Sequence, residues 1–235
     1  MMENKLNLSH DQASTLLNRW RGDPTTYFDE VLGVTAIWKL QQDLLNACPI
    51  AIQQHKPIYV GSGHSLGKDY ICAGISLWFL QCYRPSIVIQ TAPTARQVEK
   101  IMWGETRVHW ANKKIDLGGI AFTTPYLEID KDKKWYLIGF ATKETGGSAQ
   151  AGGGKFQGYH SQNNCIIVTE AQAVEDVVYD QIDALTTSAN VLVIFIGNPT
   201  RAKGRFAKGL RDKVNNIVFN FSCLDNPNYK HKQVL

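Results

Sequence analysis

The sequence has no long apolar run, no closely paired cysteines and no internal repeat, and these absences exclude several classes of protein. The longest apolar stretch, residues 71–80, is far shorter than the roughly 20 residues that cross a bilayer, and the N-terminal MMENKLNLSH lacks an apolar signal core. The five cysteines form no C-x-x-C pair, which argues against metal or disulfide roles. We therefore expect a soluble intracellular protein that contacts no membrane.

Composition and charge place only broad limits on the class of protein. Hydrophobic residues make up 44% and charged residues 20%, which is the balance of a globular protein. The net charge of +4 permits contact with a polyanion but is too small to predict one. A chain of 235 residues is long enough for one large domain with its own core.

Helical and strand patterns alternate along the chain. Ser9 followed by Gln12 is a capping-box signature that predicts a helix start, and apolar spacing predicts a second helix over residues 35–47. Short, continuously apolar runs between helical patterns are typical of a parallel sheet covered on both faces. Four such runs occupy residues 58–60, 86–90, 165–168 and 191–196. The sequence therefore predicts a three-layer α/β/α fold of the nucleotide-binding type.

Two segments interrupt this alternation. Residues 125–141 contain two alternating runs around a polar turn at 130–134, which predicts an antiparallel β-hairpin. The glycine-rich stretch KETGGSAQAGGGKFQGYH, residues 143–160, predicts a mobile loop rather than a linker between domains, because a buried strand follows it directly.

Ligands of such folds bind at the carboxyl ends of the parallel strands, so the residues after each apolar run form the candidate site. Those residues are SGHSLGKD, TAPT, TEAQ and GNPT. The first, between a predicted strand and a predicted helix, is close to the phosphate-binding pattern G-x-x-x-x-G-K-[ST]. It departs from that pattern at Ser62, where glycine is usual, and at Asp69, where a hydroxyl residue is usual.

The loop has the chemistry to hold a polyphosphate. Gly63 and Gly67 allow successive N–H groups to turn inward, and a helix starting near Gly67 adds the positive end of its dipole. Lys68 can reach the terminal phosphates and offset their charge. Ser62 is a mild departure, since a small residue is tolerated where φ is not forced positive. His64 is either a phosphate contact or, as we prefer, a solvated loop residue.

Asp69 is the more serious departure. The hydroxyl usually found there binds Mg²⁺, while a carboxylate at the end of a second strand anchors the metal's water shell. In IIVTEA that second strand ends in Thr169 and Glu170 where Asp and Glu are usual. We hypothesise that carboxylate and hydroxyl are exchanged across the Mg²⁺ site, with Asp69 as ligand or water-holder and Thr169 as its hydrogen-bond partner. The alternative is an inactive site with unrelated substitutions.

The hypothesised exchange does not involve Glu170, which is the residue usually found at its position. One residue past the strand end, it is placed to orient and deprotonate a water directed at a γ-phosphate, which is a general-base role. The alternative is a glutamate that stabilises a helix N-terminus through the dipole.

Several motifs in order resemble one family. They are WKLQQDLLNA, SGHSLGKD, QTAPTARQVEKIMWGETR, FQGYHSQNNCIIVTEAQAV and VLVIFIGNPTRAKGRF. This series resembles the ATPase domain of the large terminase subunit, the DNA-packaging motor of tailed bacteriophages, over about residues 27–228. The resemblance implies a P-loop NTPase fold with an added catalytic-glutamate strand, which binds ATP and Mg²⁺ and hydrolyses ATP.

The resemblance also implies roles for individual residues. Gln41 would contact the adenine, Thr169 and Glu170 would form the second-strand site, and Asn198 and Thr200 in GNPT would couple hydrolysis to movement. The phosphates would be held by Ser62, Gly63, His64, Ser65, Leu66, Gly67, Lys68 and Asp69.

Partners and location follow from the same resemblance. A packaging motor acts on double-stranded DNA with the portal protein and the small terminase subunit, as a homo-oligomeric ring in the host cytoplasm, transiently at the procapsid portal. Family members continue into a ribonuclease-H-type nuclease domain, whereas this sequence ends shortly after SCLDNPNY. We expect a single ATPase domain, with a helical segment at about 8–47 and a core at about 48–225, and no nuclease activity.

A ring motor is also expected to use a cation from a neighbouring subunit, which stabilises charge in the transition state. The sequence does not choose among the candidates, which are Arg96, Arg107, Arg201, Arg205 and Lys155. The basic segment around residues 203–213 either faces the DNA backbone or is a solvated helix surface.

Two other functions stay open at the level of the sequence. One is a nucleotide-binding regulatory or assembly module whose altered metal site no longer hydrolyses ATP. The other is a small-molecule kinase, which would need an acceptor pocket or a lid, and only the glycine-rich loop could supply one.

Overall fold

The computed structural model describes residues 9–143, 156 and 158–227. Its first helix, α1 (His10–Gly22), begins at the predicted capping box. The Gln12 backbone N–H donates to Ser9 Oγ at 3.2 Å, and the Ser9 N–H donates to Gln12 Oε1 at 2.9 Å. These bonds satisfy two backbone groups at the start of the helix, so the prediction of a helix start here is confirmed.

The second predicted helix is displaced along the chain. A short helix, α2 (Pro24–Tyr27), continues into a π-helical turn (Phe28–Leu32), and α3 (Lys39–Gln54) follows. The N-cap of α3, Trp38, is extended, so residues 35–38 are not helical, and α3 continues past residue 47 through Pro49. The predicted bounds were therefore wrong at both ends. Ile37 and Trp38 pack against the core from an extended segment, where apolar spacing alone does not distinguish them from helical residues.

A single sheet of eight strands forms the centre of the described part of the chain. Its strands are β1 (Ile58–Ser62), β2 (Ile87–Ala92), β3 (Ile120–Ala121), β4 (Tyr126–Asp130), β5 (Trp135–Ala141), β6 (Asn163–Thr169), β7 (Asn190–Gly197) and β8 (Ile217–Phe221). Their spatial order is β3-β4-β5-β2-β6-β7-β1-β8. All neighbours from β5 to β8 in this order pair in parallel, whereas β3, β4 and β5 pair antiparallel. The predicted α/β class, with a mainly parallel sheet and a hairpin, is confirmed.

Helices cover both faces of the sheet. The remaining ones are α4 (Lys68–Cys82), α5 (Trp103–Asn112), which continues a π-helical turn (Gln97–Met102), α6 (Asp176–Leu185) and α7 (Arg205–Arg211). One apolar core includes Leu44 of α3 and Trp78 of α4, and a second includes Tyr179 of α6 and Phe206 of α7. Because the central strands are buried on both faces, the continuously apolar runs of the sequence are explained.

The strand order places the carboxyl ends of three strands, β6, β7 and β1, side by side. Ile196 of β7 pairs in register with Val60 of β1 on one side and with Thr169 of β6 on the other. The loops that follow these three strands therefore lie next to one another. They contain SGHSLGKD, TEAQ and GNPT, which are three of the four segments named as the candidate site.

The cysteines are free, and four of them, Cys48, Cys72, Cys82 and Cys165, are buried. Among the described residues, no helix is long and apolar enough to span a membrane. The predicted mobile loop lies largely outside the described residues, and so does Lys155.

Candidate functional site

The segment SGHSLGKD forms the turn between β1 and α4. Ser65 and Gly67 both have positive φ, 57° and 68°, and Gly67 is the N-cap of α4 in the left-handed conformation. Backbone with such residues just before a helix forms an N–H-lined concavity that suits an anion. The predicted strand, glycine-rich turn and helix are therefore all present in the order that phosphate binding needs.

The neighbours of Gly63 and Ser62 leave different amounts of space for a side chain. A Cβ atom on Gly63 would lie 2.2 Å from the Sγ atom of Cys223, so a side chain there requires the Cys223 side chain to move. Ser62, by contrast, is the last residue of β1, pairs with Phe221 of β8 and has no positive φ. Its side chain is buried without that steric conflict, which accounts for serine at a position where glycine is usual.

Lys68 and Glu170 face each other across the site. The Nζ atom of Lys68, a residue only 8% exposed, lies 3.0 Å from Oε1 of Glu170. The second carboxylate oxygen, Oε2, accepts a hydrogen bond of 2.8 Å from the Gln172 side-chain amide. Glu170 itself has a left-handed backbone, φ 51°, directly after β6. Both oxygens of the carboxylate are thus held, and a non-glycine residue adopts an uncommon conformation to aim it.

Glu170 is ionised at neutral pH. Burial by itself raises the pKa of this carboxyl, but hydrogen bonds from Gln172 and Lys68, with the charges of Lys68 and His64, outweigh burial and hold the pKa below its usual value. A general base must be ionised before it can accept a proton, so the site maintains the form that the predicted role requires.

The carboxyl of Asp69 is partly buried in the first turn of α4, and its pKa is shifted the other way. Burial raises this pKa, the charge of Lys68 lowers it, and the charges of Glu170 and Glu105 raise it further, so the net shift is upward. A carboxylate in such surroundings gains from a nearby cation. Thr169, buried at the end of β6, is the other member of the hypothesised exchange.

Oxygen donors are the ligands that Mg²⁺ prefers, and it commonly binds one or two protein oxygens, substrate phosphates and water. The described residues contain no group of three or more His, Cys, Asp or Glu side chains arranged to hold a metal. Mg²⁺ beside a polyphosphate does not need such a group. The carboxylate of Asp69 and the hydroxyl of Thr169 are chemically suited to Mg²⁺, and whether they share it stays a hypothesis.

A cavity of about 210 Å³ adjoins the loop on the side of α3. Trp38, Gln41 and loop residues 65–67 line it, together with Asn226 and Pro227. Gln41 is buried and its Nε2 donates to the Leu66 carbonyl at 3.3 Å, so the predicted adenine contact lies against the loop. Sequence reasoning missed the other lining residues. Trp38 could have been found from its position three residues before Gln41. Nothing in the sequence places Asn226 beside Ser65, although the Asn226 side-chain amide donates to the Ser65 carbonyl at 3.1 Å.

His64 and Asn198 join the loop to the segment after β7. The Nδ2 atom of Asn198 lies 3.0 Å from Nε2 of His64, which makes His64 the acceptor if the amide is oriented as assigned. Thr200 is tied into the same turn, because its N–H donates to the Asn198 carbonyl at 2.7 Å. His64 is exposed, as we preferred, but it is also a contact between two motifs, which the sequence did not predict.

No protein-family model matches the chain, and no curated protein matches it. Solved structures do. The large terminase of a thermophilic bacteriophage matches with a TM-score of 0.64 and 16% identity, over 84% of this chain and 50% of that one. The large terminase of bacteriophage HK97 matches with a TM-score of 0.58 and 15% identity, over 80% of this chain and 39% of that one.

A third match is to an isolated domain. A variant of the ATPase domain of the Thermus phage P74-26 large terminase matches with a TM-score of 0.58 and 11% identity, over 88% of this chain and 89% of that one. The chain has the fold of the phage large terminase ATPase domain. It spans half or less of the first two terminases, and the first of them has also been solved in complex with ATP-γ-S.

Contacts within the chain distinguish the arginines that the sequence analysis named as candidates. Arg205 is already paired within the chain, with Asp180 at 3.4 Å and with Asp183, whereas Arg96, Arg107 and Arg201 are exposed. Arg205 is therefore the member of this group whose charge is already engaged in ion pairs within the chain.

Proposed function

We propose that this chain hydrolyses ATP as the motor domain of a viral DNA-packaging terminase, coupling hydrolysis to translocation of double-stranded DNA into a procapsid. The observation that carries the ATPase part is the contact between Lys68 and Glu170 at the carboxyl ends of β1 and β6. It joins a candidate phosphate-binding cation to an ionised carboxylate, and hydrolysis of a terminal phosphate uses both kinds of group.

The proposed reaction uses the side chains as follows. The triphosphate lies on the N–H groups before α4, and the base enters the cavity lined by Trp38 and Gln41. Lys68 offsets negative charge on the terminal phosphate, and Glu170 orients a water and accepts its proton as the water oxygen attacks the γ-phosphorus. The bond from that phosphorus to the β–γ bridging oxygen breaks, and ADP leaves. Asp69 and Thr169 would hold Mg²⁺, which when bound neutralises phosphate charge.

Coupling to movement is proposed through His64 and Asn198. Their contact links the loop that binds the phosphates to the segment after β7, so loss of the γ-phosphate can change the position of both. Assembly as a ring on the portal, with the small terminase subunit as a partner, and location in the host cytoplasm are further parts of this proposal, supported by the terminase fold.

Steady-state release of phosphate from ATP with Mg²⁺ tests the ATPase proposal. Glu170→Gln removes the base and should lower kcat about 10²- to 10⁴-fold. The matched control is Glu175→Gln, which changes an exposed glutamate five positions along and should leave turnover unchanged. A chain that binds ATP but turns over no faster than its Glu170→Gln variant would instead support the regulatory or assembly module, which the unusual Asp69 favours.

A further inference from the structure

A second cavity, of about 470 Å³, lies at the amino ends of the central strands, at the other end of these strands from the loop between β1 and α4. Asn163 and Asn190, the first residues of β6 and β7 and a register pair, are part of its lining. The candidate nucleotide site is at the other end of β6. Asn163 and Thr169 are the two ends of this strand. Six residue steps of about 3.3 Å separate them, which is about 20 Å. The two sites are therefore separate.

Two arginines from different elements line this cavity, Arg21 in the last turn of α1 and Arg84 just beyond α4. Arg21 donates from Nε and Nη2 to the Cys82 carbonyl at 3.1 and 2.7 Å, and its guanidinium lies 5.1 Å from the ring centroid of Tyr83. Arg84 donates from Nε to the Gln81 carbonyl at 2.6 Å. Both guanidinium groups are held in place by main-chain carbonyls, so little conformational entropy is lost when they bind an anion.

No negative charge faces these arginines within the described ranges, because neither forms an ion pair there and Nη1 and Nη2 of Arg84 donate to no residue of those ranges. Arg84 is exposed as a whole residue, and its guanidinium lies 5.2 Å from the Trp135 ring centroid. Partial desolvation lowers the pKa of Arg84, and the nearby charge of Arg21 lowers it as well. Cys82 and Tyr27 act the other way only when ionised. They are neutral at pH 7, since burial raises the pKa of Cys82 to about 12 and that of Tyr27 well above its usual value. Two neighbouring positive charges thus lack a counter-charge.

The other polar groups of the lining are the Tyr83 hydroxyl and four amides, and the lining includes no acidic side chain from the described part of the chain. Asn163 donates to the Pro85 carbonyl at 2.7 Å, and Asn190 donates to Oδ1 of Asn163 at 2.7 Å, so these amides form an ordered network. Gln53 and Gln162 are the other two amides of the lining. Amide N–H groups add neutral hydrogen-bond donors beside the two cations.

We propose that this cavity binds a free oxyanion of the phosphate type, about the size of pyrophosphate. Guanidinium groups match phosphate oxygens with paired N–H bonds, and two of them on different elements suit a ligand that carries charged oxygens on more than one side. The volume falls in the range of small-molecule sites. Such a concave cavity favours a free anion over the backbone of a DNA duplex, which is bound along extended basic surfaces. This inference does not depend on the function proposed for the loop.

Calorimetric titration with sodium pyrophosphate tests the proposal. The titration uses a Lys68→Ala chain, because pyrophosphate also binds phosphate loops and that site must be weakened first. The expected result is one equivalent of pyrophosphate bound, at least about tenfold more weakly when Arg84→Gln is added, because a charge-assisted hydrogen-bonding group is removed. Arg84→Lys keeps the charge but loses the planar fork, so it should retain more affinity than Arg84→Gln. Affinity should also fall as NaCl is raised.

Further variants make the result decisive. Arg21→Gln should weaken pyrophosphate binding as well. Because Arg21 also donates hydrogen bonds to the end of α4, the melting temperature of this variant is compared with that of the parent chain. Arg84→Gln leaves those bonds intact and keeps the test valid if Arg21→Gln unfolds. Lys131→Gln removes an equal charge from the exposed β4–β5 turn and should change nothing. Unaltered binding in Arg84→Gln, no binding at millimolar pyrophosphate, or Arg84-dependent binding of a short DNA duplex without pyrophosphate binding would overturn the proposal.

Discussion

The Nζ atom of Lys68 and the Oε1 atom of Glu170 lie 3.0 Å apart, although the two residues follow different strands, β1 and β6. Without nucleotide, the lysine that would bind phosphate is neutralised by the carboxylate that would act as the base. A nucleotide must therefore compete with Glu170 for Lys68, and the γ-phosphate also meets the negative charge of that carboxylate.

This competition predicts opposite effects of two substitutions on ATP binding. Glu170→Gln frees Lys68 and removes a like charge, so a non-hydrolysed ATP analogue should bind more tightly than to the parent chain, even though turnover is lost. Lys68→Ala should weaken binding, because a charge-assisted contact to phosphate is removed. Fluorescence titration with a labelled analogue measures both. Weaker binding by Glu170→Gln would contradict the competition, and Glu175→Gln serves as the control.

The exchange of Asp69 and Thr169 predicts a particular pattern of rescue. Asp69→Ser and Thr169→Asp should each impair Mg²⁺-dependent phosphate release, because each leaves the metal with two hydroxyls or two carboxylates. The double variant restores one of each in the usual arrangement and should recover part of the activity. The activity of all three is compared as a function of Mg²⁺ concentration. Two harmless single variants and no rescue in the double variant would refute the exchange.

Packing of α4 against the π-helical turn (Phe28–Leu32) predicts unequal effects of two glycine substitutions. A Cβ on Gly74 would lie 2.3 Å from the Phe28 ring, so Gly74→Ala should destabilise the fold by about 1–3 kcal/mol through overpacking. Gly104 in α5 has nothing within 4 Å of its added Cβ, and Gly104→Ala should be neutral or stabilise by about 0.5–1 kcal/mol. Urea unfolding measures both. Equal effects would mean that Phe28 moves aside without cost.

We predict that the folded chain loses stability in mild acid, because the imidazole of His109 is buried. Its Nε2 lies 3.0 Å from the Tyr70 carbonyl, to which it must donate, and the ring is buried against Tyr70 and Phe28. Burial lowers the pKa of His109, and the bond to Tyr70 offsets only part of that shift. The unfolded chain therefore takes up the proton first, and stability falls as pH drops below about 6.5 toward the lower folded-state pKa.

Urea midpoints at pH 7.5 and pH 5.5 measure this effect. The difference between the two should be smaller in His109→Gln than in the parent chain, while the exposed His10→Gln should leave it unchanged. An undiminished pH dependence in His109→Gln would assign the effect to other groups.

The local patterns of the sequence were sufficient for the fold class. Strand and helix types follow from side-chain periodicity and from residues such as Ser9 and Gly67, because capping and positive φ depend on the residue itself and its near neighbours. Strand–loop–helix order around Lys68 also indicated phosphate chemistry. The start of α3 was missed, because Ile37 and Trp38 are apolar whether they pack from a helix or from an extended segment.

The sequence by itself therefore determined the α/β layers, the strand, turn and helix around Lys68 and the residue types of the candidate site. Only the tertiary structure decided which of them touch. The strand order places β6, β7 and β1 side by side, and it thereby brings Lys68 to Glu170 and His64 to Asn198. Packing of α1 against the end of α4 brings Arg21 to Arg84, because Arg21 donates to the Cys82 carbonyl. Local patterns carry no information on such contacts, because they depend on which distant strands pair.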